Sequence, residues 1–155
     1  MQYPGENLHG DLVAAEEMLE SLPELPSLEA LRAFIRFLQE TPLLQLREEY
    51  TRIFDMSPAT CLNLTYHRWG DGKERGSGMA QLNRIYGEAG YEPLGSELPD
   101  YLPRMLEFLS VCPERARSLI VREYGSSVDG LASRLGETES GYSALRKILA
   151  DAFAL

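Results

Sequence analysis

The chain has 155 residues, 44% of them hydrophobic and 25% charged, with 24 acidic against 15 basic side chains and a formal net charge of -9. That length suits a single domain burying roughly 70% of its unfolded surface, and the composition is that of a folded chain and not of a disordered one. So negative a surface repels phosphate backbones, which excludes nucleic acid as a general partner and favours a basic one, such as an arginine-bearing peptide.

Helical periodicity dominates the chain and strand alternation is scarce. Leu12, Ala15, Leu19 and Leu22 share one face of a first helix, which the prolines of "LPELP" end. Ser27 is placed to cap a second helix carrying Leu28, Leu31, Ile35 and Leu38. Thr41 and Pro42 read as a cap and a first-turn proline, after which Leu43, Leu46, Tyr50 and Ile53 continue the apolar stripe. "SPATCLNLTYHRW" is ambiguous. Leu62, Leu64 and Tyr66 alternate like a strand, yet Leu62, Tyr66 and Trp69 fit a helix, and Ser57 before Pro58 is a good helix start. The segment is expected to be helical.

Met79, Leu82, Ile85, Tyr86 and Ala89 form the next face, stopped by Gly90, and "YEPLGSELP" is a turn-rich connection. Asp100 is the expected N-cap of a helix carrying Leu102, Met105, Leu106 and Leu109, with Pro103 in its first turn. Its carboxylate would then bond the amide of Leu102 or stay open to a partner. Further helices are expected over residues 113–124, 128–135 and 138–153. The expectation is an all-α, single-domain bundle of about seven or eight helices over residues 1–155.

Cys61 and Cys112 are the two cysteines and form no C-x-x-C, as free buried thiols of a reducing compartment would. The opening "MQYPGENLHGDL" has no basic stretch followed by an apolar run, and no apolar run nears the ~18 residues of a membrane span. The expected location is therefore cytoplasmic, without membrane insertion.

Glycines 70, 72, 76 and 78 crowd the run "HRWGDGKERGSGM" together with Lys73 and Arg75. A phosphate-binding loop would need inward backbone N–H groups between a strand and a helix. Glu74 stands where the Walker pattern needs Ser or Thr, and Arg75 stands where a dinucleotide motif needs its third glycine. A helix–helix junction with Lys73 and Arg75 solvated is the favoured reading, and a nucleotide-binding switch or enzyme using residues 70–78 is the alternative. His9 and His67 lack the spacing of a zinc pair, and no serine sits in a G-x-S-x-G elbow. Cys61 and His67, six apart, would fall on different faces of one helix, so a Cys–His nucleophile is not expected. Glu97, Asp100 and Glu107 read either as caps and solvated charges or as a functional carboxylate cluster. No metal, no cofactor and no catalytic constellation is expected.

Two stretches carry a resemblance. Within "EEYTRIFDMSPATCLNLTYHRWGDGKERGSGMAQL" (48–82) the features are Tyr50, Phe54, Asp55, His67, Gly70, Arg75, Gly76, Met79 and Leu82. Within "ELPDYLPRMLEFLS" (97–110) they are the run Glu97 to Pro103, then Leu106, Glu107 and Phe108. Together they resemble the NarJ-type chaperones, also known as nitrate reductase delta subunits or molybdenum-cofactor assembly chaperones, within the TorD/DmsD group of redox-enzyme maturation proteins. The similarity continues more weakly through "SRLGETESGYSALRKIL" (133–149). Tyr101 departs from the His common in the family, and of the family's leading "L-x-Y-P" only Tyr3 and Pro4 stand here, which implies a shortened first helix.

The resemblance implies a helical cytoplasmic chaperone, not an enzyme. It would hold the N-terminal twin-arginine leader, or its remnant, of a molybdenum-containing catalytic subunit until the molybdopterin cofactor is inserted. A respiratory nitrate reductase or a relative would be the client, and a helical adaptor for another redox partner is the alternative. Tyr50, Phe54, Tyr66, Tyr101, Leu102 and Phe108 would make the apolar contacts of helix-in-groove binding. Asp55, Asp100 and Glu107 would meet arginines. His67, whose imidazole ordinarily titrates near ~6.5, would make binding pH-dependent. Core packing is the competing role of each aromatic, and capping that of Asp100. Both monomer and dimer remain open.

Overall fold

The computed structural model describes residues 2–92 and 95–154. The fold is all-α. Among the described residues there are eight α-helices: α1 (Leu8–Ser21), α2 (Leu28–Glu40), α3 (Leu43–Tyr50), α4 (Leu64–Trp69), α5 (Glu74–Glu88), α6 (Leu102–Val111), α7 (Glu114–Gly136) and α8 (Leu145–Ala152). A π turn, Thr51–Asp55, extends α3, and a 3-10 turn, Gly141–Ala144, leads into α8. None of these helices is long and apolar enough to cross a membrane. Of the expected turn-rich connection 91–99, Pro93 and Leu94 lie outside the described residues.

The chain forms two compact units. The first takes residues up to Thr60 together with Asp129–Ala152, hence α1 to α3, the C-terminal part of α7, and α8. Its core gathers Leu12, Ile35, Leu46, Ile53, Leu131, Leu135, Leu145 and Leu149 around Tyr142, which is 2% exposed. The rings of Phe34, Phe37, Tyr50 and Phe54 stand 5.7, 5.3, 6.4 and 5.1 Å from the Tyr142 ring, mostly edge to face, as ring quadrupoles prefer.

The second unit takes Cys61–Val128 together with Phe153, hence α4, α5, α6 and the N-terminal part of α7. Leu64, Leu82, Leu102, Met105, Phe108, Ile120, Tyr124 and Val128 are all without exposed area. Buried phenols need partners. Tyr86 donates to the Pro99 carbonyl at 2.8 Å, and Tyr124 donates weakly to that of Gly78 at 3.4 Å.

Three expectations about elements are corrected. Residues 57–63 are not helical. Leu62 O accepts from Leu102 N at 2.8 Å, and Leu64 N donates to Asp100 O at 3.0 Å, so Asn63 pairs with Tyr101 in an isolated antiparallel bridge and the helix starts only at Leu64. Residues 113–124 and 128–135 belong to one helix. Ile120, Tyr124, Val128, Leu131 and Leu135 keep a single stripe in register across Gly125–Ser127, and burying it outweighs the ~1 kcal/mol that a helical glycine costs. The last helix is shorter than 138–153, because Ser140, extended at φ -144° and ψ 157°, starts the 3-10 turn and accepts from Tyr142 N.

Burial pushes the Tyr124 phenol up to about 12, with Glu123 adding to the effect, and raises Tyr86 and Tyr142 further. A folded-state pKa above the unfolded value near 10 contributes stability that is complete below pH ~10 and is lost as pH climbs through ~12. In an alkaline titration Tyr124, Tyr86 and Tyr142 are expected to ionise together with loss of helical circular dichroism. Smooth non-cooperative ionisation of all tyrosines with the helix signal intact would contradict this.

Candidate functional site

The two sequence stretches that stand out meet in the second unit, at a buried carboxylate. Asp100 has no exposed area. Its Oδ1 accepts from Asn63 Nδ2 at 3.0 Å, and its Oδ2 accepts from the Thr65 amide at 3.2 Å and from the Thr65 hydroxyl at 2.5 Å. The Arg75 guanidinium stands 3.7 Å from Oδ2, and Arg75 Nε donates to Thr65 Oγ1 at 3.1 Å. A carboxylate with no water is costly unless paired and bonded, and this one is both.

The expected role of Asp100 is therefore corrected. It does cap a helix, but α4 and not α6. Its acceptors meet the first turn of α4, where free N–H groups point outward. Helix α6 starts one residue later than expected, with Tyr101 at the N-cap and Pro103 in the first turn, and its Leu102 amide is spent on Leu62. Arg75 is corrected too. It is 22% exposed and ion-paired, not solvated, so the glycine-rich run supplies the counter-ion of the other stretch.

The glycines of that run have structural tasks. Gly70 ends α4 at φ 56°, where a side chain would be strained. Gly78 lies inside α5 beneath the Trp69 ring, whose Cζ3 occupies the place of a Cβ. The run is a helix–helix junction made close by glycine.

The ten candidate residues divide between the units and between core and surface. Tyr50, Phe54 and Asp55 are in the first unit, the other seven in the second. Tyr50 and Phe54 are 4% and 3% exposed, and Leu102, Phe108 and Asp100 are at 0%. Each of these five is core within its own unit and offers a docked peptide no surface. In α6 the helical period turns Leu102, Met105 and Phe108 inward and leaves Glu107 outward. Tyr66, His67 and Tyr101 are half-buried, and Asp55 and Glu107 are exposed.

These surface members are held in place. The Arg75 guanidinium lies 5.9 Å from the Tyr66 ring centre, and Tyr101 is fixed by the bridge to Asn63. The Tyr91 hydroxyl stands 3.5 Å from Glu107 Oε2. Burial, followed by the Glu107 charge, raises the Tyr91 pKa. His67 Nε2 lies 2.7 Å from the Cys61 carbonyl oxygen and 3.8 Å from Cys61 Sγ, so the structure brings together a pair that helical spacing would separate.

Sequence reasoning missed three participants. Asn63 and Thr65 supply donors to Asp100. Arg104, 8% exposed, donates to the carbonyls of Glu97 and Gly95 and pairs with the Glu97 carboxylate at 3.6 Å, tying the strip before Asp100 to α6. A charged residue on the inward face of a helix was the available signal for Arg104. Nothing local marks Asn63 or Thr65. The carboxylates Glu97, Asp100 and Glu107 share no common site, since each has its own partner.

Residues 23–144 match the family described as "Nitrate reductase delta subunit". The chain is 32% identical over 149 residues to the "Probable nitrate reductase molybdenum cofactor assembly chaperone NarJ" of Bacillus subtilis, covering 96% of this chain and 81% of that protein. It is 31% identical over 139 residues to the "Nitrate reductase molybdenum cofactor assembly chaperone NarJ" of Escherichia coli, covering 86% of this chain and 59% of that protein. With the "Probable nitrate reductase molybdenum cofactor assembly chaperone NarW" of Escherichia coli it shares 33% identity over 112 residues, 72% of this chain and 48% of the relative. The chain thus spans only about half to three fifths of the length of the two Escherichia coli proteins.

Proposed function

The chain belongs to the nitrate reductase delta subunit family, and we propose that it is an assembly chaperone for a nitrate reductase or a related molybdenum-containing oxidoreductase. It acts by binding and makes or breaks no covalent bond in its client. Its ligand is the N-terminal leader, or leader remnant, of the catalytic subunit, held in the cytoplasm while the molybdopterin cofactor is inserted.

One observation carries this reading: the bridge between Asn63 and Tyr101, clamped by buried Asp100, sets two aromatics and a carboxylate at the surface of one rigid frame. Tyr66 and Tyr101 are amphipathic rings of the kind that dominate peptide and protein interfaces. Glu107, exposed on α6 six residues after Tyr101, suits an arginine of a basic peptide. The chain's net charge of -9 would speed the approach of such a peptide. Asp55, exposed on the π turn of the first unit, is proposed by itself as an acidic contact for a basic peptide.

Calorimetric titration with a peptide of the first ~20 residues of a molybdoenzyme catalytic subunit, enough for a helix of several turns, tests the proposal. A Kd near the micromolar range, about -8 kcal/mol, is expected. Tyr101→Ala and Glu107→Lys should each weaken binding about tenfold, or ~1.4 kcal/mol, with the fold intact. The Glu107→Lys effect should shrink at high salt. No heat from the folded protein at tens-of-micromolar concentration would overturn the reading.

A further inference from the structure

We infer that the groove between the end of α5 and the start of α7 receives a second copy of this chain, in a weak dimer with two-fold symmetry. The inference is independent of any client.

The groove lies wholly within the second unit and has a volume of about 210 Å3. Ala89 on α5 and Ala116 on α7 are small, and leave open the space that longer side chains would fill. Ile85 and Ala116, 6% and 8% exposed, form its floor, and Leu119 extends the apolar wall. Beside it Val111 ends α6 with 70% of its surface exposed. Pro113 cannot continue α6, and its carbonyl accepts from the amides of Ala116 and Arg117 at 2.8 and 3.1 Å. Val111 therefore projects from a tight, bonded corner. An apolar knob next to an apolar hollow is what an isologous contact needs, since each copy then offers its knob to the other's hollow.

The two walls carry opposite charges, Glu88 on α5 and Arg115 on α7. Among the described residues Arg115 makes no ion pair, and Glu88 has only Arg84, 3.8 Å away on its own helix and well exposed. Glu114, beside Arg115, accepts from the Ser118 hydroxyl at 3.3 Å. A two-fold axis through the groove exchanges its walls, so Glu88 of each copy faces Arg115 of the other and one relation makes two ion pairs. A basic leader would be drawn to a rim of carboxylates alone, whereas a rim bearing both signs complements itself. The net charge of -9 on each copy opposes association, but this repulsion is screened beyond ~8 Å at physiological salt and the apolar contact is not. One groove and one knob per copy place the contact below the ~1,200 Å2 of stable interfaces, so the dimer is weak.

Sedimentation velocity of the full chain from about 1 µM to about 1 mM, at ~0.15 M salt, should show monomer and dimer in equilibrium with a Kd of about 100 µM. Val111→Asp, at an exposed position, should weaken the dimer at least about tenfold, and Glu88→Arg and Arg115→Glu should each do so about tenfold. An equimolar mixture of the two charge variants should associate like the wild type, because every contact between them then joins opposite charges. In wild-type NMR spectra the amides of residues 85–89 and 111–119 should shift on dilution, a readout that needs no variant. A wild-type monomer at every concentration, a dimer that all three variants leave intact, or a mixture no stronger than its components would overturn the inference. Loss of leader-peptide heat in folded Val111→Asp would give the groove to the client and overturn it too. Should circular dichroism show a variant unfolded, the dilution shifts decide. Shifts confined to those two stretches support the inference, and shifts elsewhere or none refute it.

Discussion

Asp100→Ala is expected to lower the unfolding free energy by about 3 kcal/mol, read as a drop in the urea midpoint at constant slope. The substitution removes the acceptor of the Asn63 amide, the Thr65 amide and the Thr65 hydroxyl together, and takes the counter-ion from Arg75. Groups left without partners in a site of zero exposure pay their desolvation in full. The figure sits at the lower end for a broken buried pair because Arg75, 22% exposed, can turn its charge toward water. Asp100→Asn should cost less, about 1 to 2 kcal/mol, since one oxygen remains and only the amide nitrogen confronts a donor. In Arg75→Ala/Asp100→Ala the two effects should fall short of their sum by at least ~1 kcal/mol, because neither change leaves the other partner stranded. A loss below ~0.5 kcal/mol for Asp100→Ala would mean that the carboxylate does not hold the two stretches together. Loss of peptide heat in a variant that remains folded would assign Asp100 a direct role in binding as well.

The all-α class and most helices were legible because they depend on local periodicity. Leu28, Leu31, Ile35 and Leu38 recur at helical steps, and α2 forms there. What escaped was set by partners distant along the chain. The spacing of Leu62, Tyr66 and Trp69 is helical, yet the backbone of residues 62–64 bonds to residues 100–102 instead. No window of ordinary width contains both. The same displacement hid the helix that Asp100 caps and the pairing of Arg75 with it, and placed Cys61 beside His67. Resemblance to a family singled out residues without saying which are core and which are surface. Tyr50, Phe54, Leu102 and Phe108 stand in the pattern as prominently as Tyr101, but they are core. A buried aromatic and a contact aromatic are the same letter, and only packing separates them. The division of α7 was misread for the opposite reason. Gly125, Ser126 and Ser127 are local breakers, and a continuous apolar stripe overrode them.

The second large effect is steric. Gly141→Ala is expected to destabilise by about 2 to 3 kcal/mol, although the position has no positive φ and an alanine backbone would be unstrained there. A Cβ on residue 141 would fall onto Phe37 Cγ and Cδ2, at the base of the ring and not at a movable tip. The ring cannot simply turn away, because its centre stands 5.3 Å from Tyr142 and 6.2 Å from Phe34, and Tyr142 also touches Phe54. Relief therefore requires displacing either α2 or the 3-10 turn, and with it the aromatic cluster of the first unit. Phe37→Leu alone should cost about 1 kcal/mol for lost apolar area and ring contacts. The double variant Phe37→Leu/Gly141→Ala should be more stable than the sum predicts by at least ~1 kcal/mol, since the smaller side chain vacates the space the new methyl needs. If the harm of Gly141→Ala arose from the turn's own conformational preference, the two changes would add without coupling, and the collision would not be its cause. Thermal or urea unfolding of the four proteins distinguishes the two, and near-ultraviolet circular dichroism should show the Tyr142 environment disturbed in Gly141→Ala and partly restored in the pair.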